Sequence, residues 1–324
     1  MVALDTGATL LDPPADPLPV PEYAIGLDVG GTKVRGVVTD ADGEILAGAR
    51  TRTRPTESGV LDTIEEVVAS LLDQTGIDIR RIRDVGIGIP GVVDPDTGVV
   101  AHAVNLGIDQ PFDIVEAVGA RLGRPGRVHV ENDVNAAALG VAHALGLGER
   151  SAAVISSGTG LAAGLVIHGR VWRGAQGVAG EIGHIPIDPE GPVCKCGQRG
   201  CLEQYASGSA VTRPQLADGS TVSVKQMFAR AEEGDAAARS AVDRLAGALA
   251  IGIRMVMLSL DPERVILMGG VANAGQPLLD AVRSALRDMA AVSPFLESLR
   301  LDERVMLAPE LADLPARGAA RLRA

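Results

Sequence analysis

Apolar and polar positions follow strand periodicity in three successive runs near the start of the ordered chain, which we expect to begin at Glu22. The runs cover residues 23–28, 33–40 and 44–53, and the glycine-containing turns between them predict antiparallel strands. Residues 59–75 then place valine, isoleucine and leucine at helical spacing and predict an amphipathic helix. The beginning of the chain therefore predicts a β-meander followed by a helix.

The same order of predicted elements returns in the second half of the chain. Strands are predicted at 152–156, at 161–167 and from Arg170 onward, again joined by glycine turns. Elsewhere the predicted strands are 85–89, 127–131, 264–268 and 304–308, and the predicted helices are 111–122, 132–147, 224–234, 236–260, 276–290 and 316–323. This repeat predicts an α/β fold of two similar halves that close around a shared cleft.

Four segments follow from this pattern in a chain of 324 residues, which is long enough for two hydrophobic cores. We expect a disordered lead-in at 1–21, a smaller N-terminal α/β domain at 22–134 and a larger C-terminal α/β domain at 135–308. The segment 309–324 is predicted to form a terminal helix that packs back on the N-terminal domain.

Charge and hydropathy exclude several classes of protein. The net charge is −11, from 30 Lys and Arg against 41 Asp and Glu, and such a balance disfavours binding to phosphate backbones. No stretch offers the roughly 20 uninterrupted apolar residues of a membrane span. Residues 1–20 lack the basic start and apolar run of a signal peptide. We therefore expect a cytoplasmic protein with no nucleic-acid or membrane partner.

Three glycine turns follow predicted strands and are candidates for anion binding. The first is DVGGTK, in which Gly30 and Gly31 let backbone N–H groups approach a phosphate, Thr32 and Lys33 offer further donors, and Asp28 could lie near a hydrated Mg²⁺. The others are SSGTGLAAG, with Gly158, Thr159 and Gly160, and LMGGVANAG, with Gly269 and Gly270. Each alone could be a plain turn, but three of them in a duplicated α/β chain favour a nucleotide cleft.

A carboxylate stands where a predicted strand meets a predicted helix, in VHVENDVNAAALG. Asn132 and Asp133 could simply cap that helix. Active sites of α/β folds also gather at the carboxyl ends of strands, and phosphoryl transfer to an alcohol requires a carboxylate that accepts the hydroxyl proton. The pattern supports capping and catalysis equally.

All three cysteines of the chain fall within eight residues, and a histidine lies just upstream. His184, Cys194, Cys196 and Cys201 form the Cys₃His donor set of a closed structural Zn²⁺ site, while the absence of a C-x-x-C motif disfavours a redox pair. Three unrelated buried thiols are the alternative. With all four positions filled, we expect no catalysis by zinc-bound water.

Two glutamates flank this cluster, Glu181 and Glu203. They could be exposed loop charges. Alternatively, the metal loop holds their carboxylates as acceptors for substrate hydroxyl groups.

With these residues in view, the chain closely resembles the ROK family (repressor, open reading frame, kinase) of bacterial sugar kinases and regulators from about Ala24 to the last helix. The resemblance rests on the motifs DVGGTK (28–33), ENDVNAAALG (131–140), GTG (158–160), GEIGH (180–184) and CKCGQRGCLE (194–203). It implies the duplicated actin-like ATPase fold and ATP-dependent phosphorylation of a hexose or an N-acylhexosamine. It also implies a homodimer or homotetramer.

The resemblance carries roles over to matching positions. Asp133 resembles the catalytic base, and the positions resembling sugar contacts are Gly91, Asn105, Asn132, Glu181, His184 and Glu203. The positions resembling phosphate and adenosine contacts are Gly30, Gly31, Thr32, Lys33, Gly158, Thr159 and Gly269. The implied cofactors are ATP with Mg²⁺ and a structural Zn²⁺.

The favoured hypothesis is a glucokinase that makes glucose 6-phosphate, with N-acetylglucosamine or N-acetylmannosamine as alternative substrates. A sugar-sensing regulator is the second hypothesis, although the short acidic stretch before Glu22 leaves too little basic chain for a helix-turn-helix unit. A sugar-binding protein without catalysis is the third, because Ala162 and Ala163 stand where family kinases usually carry further glycines.

Overall fold

A computed structural model of the protein describes residues 22–211, 222–311 and 313–323, so the lead-in predicted at 1–21 lies outside the described residues. The strands are β1 (Tyr23–Val29), β2 (Lys33–Thr39), β3 (Ile45–Arg52), β4 (Ile82–Ile89), β5 (Val92–Asp94), β6 (Val99–Ala101), β7 (Phe112–Asp113), β8 (Val128–Asn132), β9 (Ala152–Ser157), β10 (Leu161–Ile167), β11 (Arg170–Val171), β12 (Arg264–Met268) and β13 (Val305–Leu307). The α-helices are α1 (Glu57–Thr75), α2 (Ile114–Arg121), α3 (Asp133–Ala144), α4 (Glu203–Ala206), α5 (Gly208–Val211), α6 (Val224–Glu232), α7 (Ala236–Leu260), α8 (Gln276–Ala290), α9 (Pro294–Ser298) and α10 (Leu314–Ala319).

Two five-stranded sheets share one topology. Their strand orders are β3-β2-β1-β4-β8 and β11-β10-β9-β12-β13, so each sheet reads 3-2-1-4-5 in its own chain order. In both sheets the first three strands are antiparallel neighbours, and the last two run parallel to the first. The duplication predicted from the repeated pattern is therefore present at the level of strand order and direction.

Each half has its own apolar core. In the first, Thr56 caps the start of α1, because its hydroxyl accepts from the Gly59 amide, and the helix packs valine, isoleucine and leucine side chains on the first sheet. In the second, the long helix α7 and helix α8 bury alanine, leucine and valine against the second sheet. Amphipathic periodicity is enough to predict where these helices lie in the sequence, because the apolar face of each must be buried away from water.

One helix from each half packs on the sheet of the other half. Helix α3 follows the last strand of the first sheet but packs on the second, where Gly164 of β10 meets the Val134 carbonyl and the Ala138 methyl. Helix α10 follows the last strand of the second sheet but packs on β1 and β4 of the first. The backbones come so close there that a Cβ atom on Gly26 would lie 1.9 Å from the Ala316 carbonyl oxygen.

Helices α3 and α10 also cross each other between the sheets. A Cβ atom on Gly140 would lie 2.0 Å from the Leu314 carbonyl oxygen, and one on Gly318 would lie 1.8 Å from that of Ala136. Only glycine permits this approach, because every other residue adds an atom inside the van der Waals distance. The crossing fixes the start of α3 relative to both sheets.

Most predicted elements match within a few residues, and α7, α8, β10 and β12 match at both ends. The sequence analysis missed the small sheet β5-β6-β7 and the short helices α4, α5 and α9. These have two to five residues each, too few for either periodicity to show. The helix predicted at 111–122 is wrong at its start, because Phe112–Asp113 pairs with β6 and the Asp113 side chain caps α2.

The domain boundaries at 134/135 and 308/309 stay a prediction. Among the described residues, none of the helices combines the length and the hydropathy needed to cross a membrane.

Replacing Gly140 by alanine should loosen the crossing of α3 and α10. The added methyl group overlaps the Leu314 carbonyl, so we expect the free energy of unfolding to fall by about 1–3 kcal/mol. Urea denaturation followed by circular dichroism measures this change. The control is Gly247→Ala in α7, where a Cβ atom meets nothing within 4 Å, and it should be neutral or stabilising by up to about 1 kcal/mol. Equal stability of the two variants would contradict the proposed constraint.

Candidate active site

Asp133 is the first residue of α3 and lies at the carboxyl end of β8, partly buried. The helix is capped by its neighbour, because the Asn132 side chain accepts from the Val134 amide at 3.0 Å. Asp133 also accepts from that amide at 2.9 Å through Oδ1. Capping therefore does not account for both side chains.

Asn132 ties this helix start to the loop after β4. The side-chain amide nitrogen of Asn132 donates to the Gly91 carbonyl oxygen at 3.3 Å. Gly91 itself has a positive φ of 108°. A Cβ atom there would lie 2.7 Å from the Ala101 carbonyl oxygen of the small sheet. Two of the predicted sugar-contacting residues are thus directly bonded beside Asp133.

Asp28, near the end of β1, is a second carboxylate of this site. Burial, the negative charge of Asp133 and that of Asp313 raise the pKa of Asp28 from 3.8 to about 6, while Arg35 and Lys33 oppose the shift. Burial also raises the pKa of Asp133, as does the charge of Glu181, and hydrogen bonds from the backbone lower it. Asp133 therefore lies close enough to Asp28, and Glu181 close enough to Asp133, for the charge of one to raise the pKa of the next.

The first glycine turn joins β1 and β2 beside Asp28. The Gly30 amide donates to the Lys33 carbonyl, and Gly31 packs so closely on Asn105 that a Cβ atom would lie 2.9 Å from its side chain. Gly31 and Thr32 also line a groove of about 580 Å³, whose other wall is formed by residues 51–55. Arg52 and Arg54 lie on that wall, and Arg54 is paired with Glu66 at 2.6 Å.

The second and third glycine turns are packed together. A Cβ atom on Gly269 would lie 2.4 Å from the Ser157 carbonyl oxygen, at the residue before Gly158. The Gly208 amide donates to the Gly158 carbonyl at 2.7 Å, and the Ser209 hydroxyl donates to the Thr159 carbonyl at 2.8 Å. The turn at Gly269 and Gly270 continues into a 3-10 helix, Val271–Ala274, rather than directly into an α-helix.

The four residues of the cysteine cluster converge. Their donor atoms all lie within 4.8 Å of one another, with 3.8 Å between Cys194 Sγ and His184 Nδ1 and 3.6 Å between the sulfurs of Cys196 and Cys201. A tetrahedron with Zn–S of about 2.3 Å and Zn–N of about 2.0 Å has edges of roughly 3.5–3.8 Å. The donor set and its spacing therefore fit a zinc ion.

The two flanking glutamates have different surroundings. Glu181 is exposed, and its carboxylate lies 4.0 Å from Nε2 of His184, on the opposite side of the imidazole from Cys194. Glu203 is buried and accepts from the Leu161 amide at 3.0 Å. Its other oxygen lies 3.6 Å from Nζ of Lys195, which stands between two of the cysteines.

A series of contacts connects the second glycine turn, the cysteine loop and Asp133. Glu203 touches Gly160 of the second turn and Lys195 of the cysteine loop, whose His184 faces Glu181, and the charge of Glu181 reaches Asp133. Three of the predicted sugar contacts, Glu203, His184 and Glu181, are thus connected to Asp133, whose charge in turn raises the pKa of Asp28.

Sequence reasoning missed an ion pair behind Asp133. Glu131 is buried and forms an ion pair with Arg173, with 2.5 Å between Nη2 of the arginine and Oε2 of the glutamate. Its other oxygen accepts from the side-chain amide of Asn135 at 3.0 Å and from the backbone amide of Asn132 at 2.9 Å. Arg173 follows β11 in the second half, whereas Glu131 is the second-to-last residue of β8 in the first. The pair joins the two halves, and no local pattern in the sequence signals it.

Replacing Asp28 by asparagine should change how stability depends on pH. The raised pKa means that the native state holds a proton that the unfolded state has released, so stability is lost as pH rises from about 4 through 6. In the absence of ligands, Asp28→Asn should be more stable than the native chain at pH 7.5, by no more than about 3 kcal/mol, and similar to it at pH 4.

Chemical denaturation at the two pH values measures the difference. Asp243→Asn, on an exposed position of α7, is the control and should show no such trend. A lower stability of Asp28→Asn at pH 7.5 would contradict the burial of a charged carboxylate.

Comparison with known proteins agrees with this architecture. The chain is 34% identical over 282 residues to a glucokinase of Halalkalibacterium halodurans, which covers 81% of this chain and 84% of that protein. The structure of the present chain is similar to that of a ROK hexokinase from Thermus thermophilus, with 32% identity and a TM-score of 0.79. The match covers 92% of this chain and 96% of the hexokinase.

A second solved structure is a ROK family glucokinase from Streptomyces griseus in complex with glucose and AMPPNP. It is 34% identical, with a TM-score of 0.72 and coverage of 92% of this chain and 98% of that one. The sequence profile described as "ROK family" matches residues 24–324. The fold is therefore the duplicated actin-like ATPase fold predicted from the motifs, and the chain belongs to the ROK family.

Proposed function

We propose that this protein is a glucokinase, transferring the γ-phosphoryl group of ATP to the 6-hydroxyl of glucose. The observation that supports the proposal is the position of Asp133 at the start of α3, where the charge of Glu181, a neighbour of His184, raises its pKa and its own charge raises the pKa of Asp28 beside the first glycine turn. A carboxylate between a polar sugar pocket and a phosphate turn is what phosphoryl transfer to an alcohol requires.

Asp133 acts as the general base. It accepts the proton of the 6-hydroxyl as that oxygen forms a bond to the γ-phosphorus, while the bond between the γ-phosphorus and the bridging oxygen to the β-phosphate breaks and ADP leaves. Its Oδ1 is fixed by the Val134 amide, so the carboxylate has one orientation and Oδ2 is available for the hydroxyl.

The sugar is held by side chains that are already oriented by contacts within the protein. Asn132 is oriented by Val134 and Gly91, Glu203 by the Leu161 amide, and His184 by the cysteine loop. Carboxylate, amide and imidazole groups recognise hydroxyl groups by paired hydrogen bonds, which gives specificity. The proposed sugar contacts are Gly91, Asn105, Asn132, Glu181, His184 and Glu203.

The nucleotide is held by the three glycine turns. Gly30, Gly31, Thr32 and Lys33 present donors to phosphate oxygens, with Arg52 and Arg54 near the same groove. Gly158, Thr159, Gly160, Gly269 and Gly270 form the proposed second part of the nucleotide site. Asp28 is the carboxylate that would hold the water shell of Mg²⁺, which neutralises charge that develops on the phosphates.

A structural zinc ion is proposed on His184, Cys194, Cys196 and Cys201. The donor spacing supports it, and four protein ligands leave no open position for catalysis. Binding through Nδ1 of His184 would leave Nε2 facing Glu181 and the sugar. The ion would thus orient the substrate-binding imidazole without taking part in the reaction.

N-acetylglucosamine and N-acetylmannosamine remain alternative substrates, because the shape of a pocket built by several loops decides between epimers. Similarity to the Streptomyces griseus protein bound to glucose and AMPPNP supports glucose and ATP. A homodimer or homotetramer and a cytoplasmic location stay predictions.

The substrate and the role of Asp133 are tested together. A coupled assay should show the highest kcat/KM with glucose among glucose, mannose, N-acetylglucosamine and N-acetylmannosamine, with ATP and polyphosphate compared as donors. Asp133→Asn should lower kcat by at least about 10²–10⁴-fold while glucose binding, measured by calorimetry, largely survives.

The control is Asp243→Asn, which removes an exposed carboxylate of α7 and should leave kcat unchanged. Activity retained by Asp133→Asn would remove Asp133 as the base. Absence of turnover with every sugar, together with specific binding to promoter DNA, would favour the regulator.

The zinc proposal predicts about one zinc per chain by elemental analysis of the purified protein. Cys201→Ser should lower the zinc content and raise KM for glucose, because His184 loses its fixed orientation. A metal-free protein with full activity would contradict the proposal.

A further inference from the structure

A second cavity of about 640 Å³ lies away from the candidate active site. Its walls come from the last turns of α3, from the β10–β11 hairpin and from the segment that follows α10. His143, on this wall, is ten positions after Asp133 and therefore roughly 15 Å further along the helix. Neither the proposed reaction nor the family comparison assigns this cavity a role.

The cavity is lined by four arginines, Arg170, Arg173, Arg321 and Arg323, and by no carboxylate of the described chain. Arg173 is neutralised by Glu131, but the other three form no ion pair within the described residues. Burial and the charges of other arginines lower the pKa of the Arg321 guanidinium, which shows that its surroundings are positive.

Helix ends do not balance this charge. The carboxyl ends of α3 and α10 contribute at most about half a negative charge each, which leaves about two positive charges in the cavity. Arg317 and Glu44 lie near His143 outside the cavity wall and offset each other. Burial and the charges of Arg321 and Arg317 lower the pKa of His143, and its Nε2 lies 2.5 Å from Nη2 of Arg321.

The rest of the wall is apolar, from Leu139, Ala142, Val166 and Leu322. The volume falls within the range of about 300–1,000 Å³ that is typical of small-molecule sites. An excess of about two positive charges matches a phosphate monoester, which carries close to two negative charges near neutral pH.

We propose that this cavity is a second ligand site that binds a phosphate-bearing small molecule through Arg170, Arg321 and Arg323. The phosphate accepts hydrogen bonds from the three guanidinium groups, which are the donors best shaped for it. The apolar wall contacts the remainder of the molecule.

The site is connected to Asp133 by the ion pair described above. Arg173 lines the cavity and holds Glu131, and Glu131 accepts from the Asn132 amide next to Asp133. A bound phosphate also joins the β10–β11 hairpin of the second half to the C-terminal segment, whose Arg321 donates to the Asp42 carbonyl of the first half. Occupancy therefore stabilises one arrangement of the two halves.

The chain carries its own reporter for this site. Trp172 is the only tryptophan of the sequence, is about half exposed, and stands between Val171 and Arg173, which both line the cavity. Its fluorescence is followed while inorganic phosphate or glucose 6-phosphate is added at constant ionic strength. Saturating glucose and AMPPNP are present throughout, so that the active site is filled.

The expected result is a saturable change in Trp172 fluorescence. A response to both compounds assigns the site to the phosphate group itself, and a tighter response to glucose 6-phosphate assigns it to the monoester. Arg170→Gln/Arg323→Gln should weaken the apparent affinity by about tenfold or more, because two charged hydrogen bonds are lost. Arg127→Gln/Arg239→Gln removes the same charge from exposed positions elsewhere and should leave the affinity unchanged.

Two results overturn the proposal: no saturable response to either compound while glucose and AMPPNP are bound, or equal affinities in the two double variants. Neither of them bears on the phosphorylation of glucose, which the coupled assay measures separately.

Discussion

The close crossing of helices α3 and α10 determines how the two halves of the protein are held together. Each helix follows the last strand of one sheet and packs on the other sheet, so the two halves cannot be separated without exposing both helices. Gly140 and Gly318 allow the backbones to touch, and no larger residue fits there. Asp133 begins one of these helices, so its position is set by both sheets at once.

This arrangement explains why the candidate site needs both halves. The first half supplies Asp133, Asp28 and the first glycine turn, and the second supplies Glu181, His184 and the other two turns. The ion pair between buried Glu131 and partly exposed Arg173 joins the halves directly behind Asp133. Removing Arg173 would leave the buried charge of Glu131 without compensation, so the pair favours this alignment of the halves.

Much of the fold and part of the site could be predicted from the sequence. The repeated strand pattern predicted two similar halves, and the structure has two sheets of the same topology. The prediction was possible because strand and helix periodicity indicate which face of each element is buried. The cysteine spacing gave the four converging donor atoms, because the loop is short enough to bring them together by itself. The glycine motifs marked real turns at the ends of β1, β9 and β12.

The remainder depends on contacts between residues far apart in the chain. The exchange of α3 and α10 between sheets, the pairing of Arg173 with Glu131 and the arginine-lined cavity all join segments separated by tens of residues or more. The small sheet β5-β6-β7 is stabilised by its neighbours rather than by its own strands, which are too short to signal themselves.

We propose that Asp133 activates the 6-hydroxyl of glucose for attack on ATP. The phosphorus NMR spectrum of the product formed from glucose, ATP and Mg²⁺ tests the assignment of this hydroxyl. We expect one new phosphomonoester whose phosphorus is split by the two protons on C6. A signal split by the single proton on C1, or release of ADP and free phosphate without a sugar phosphate, would contradict it.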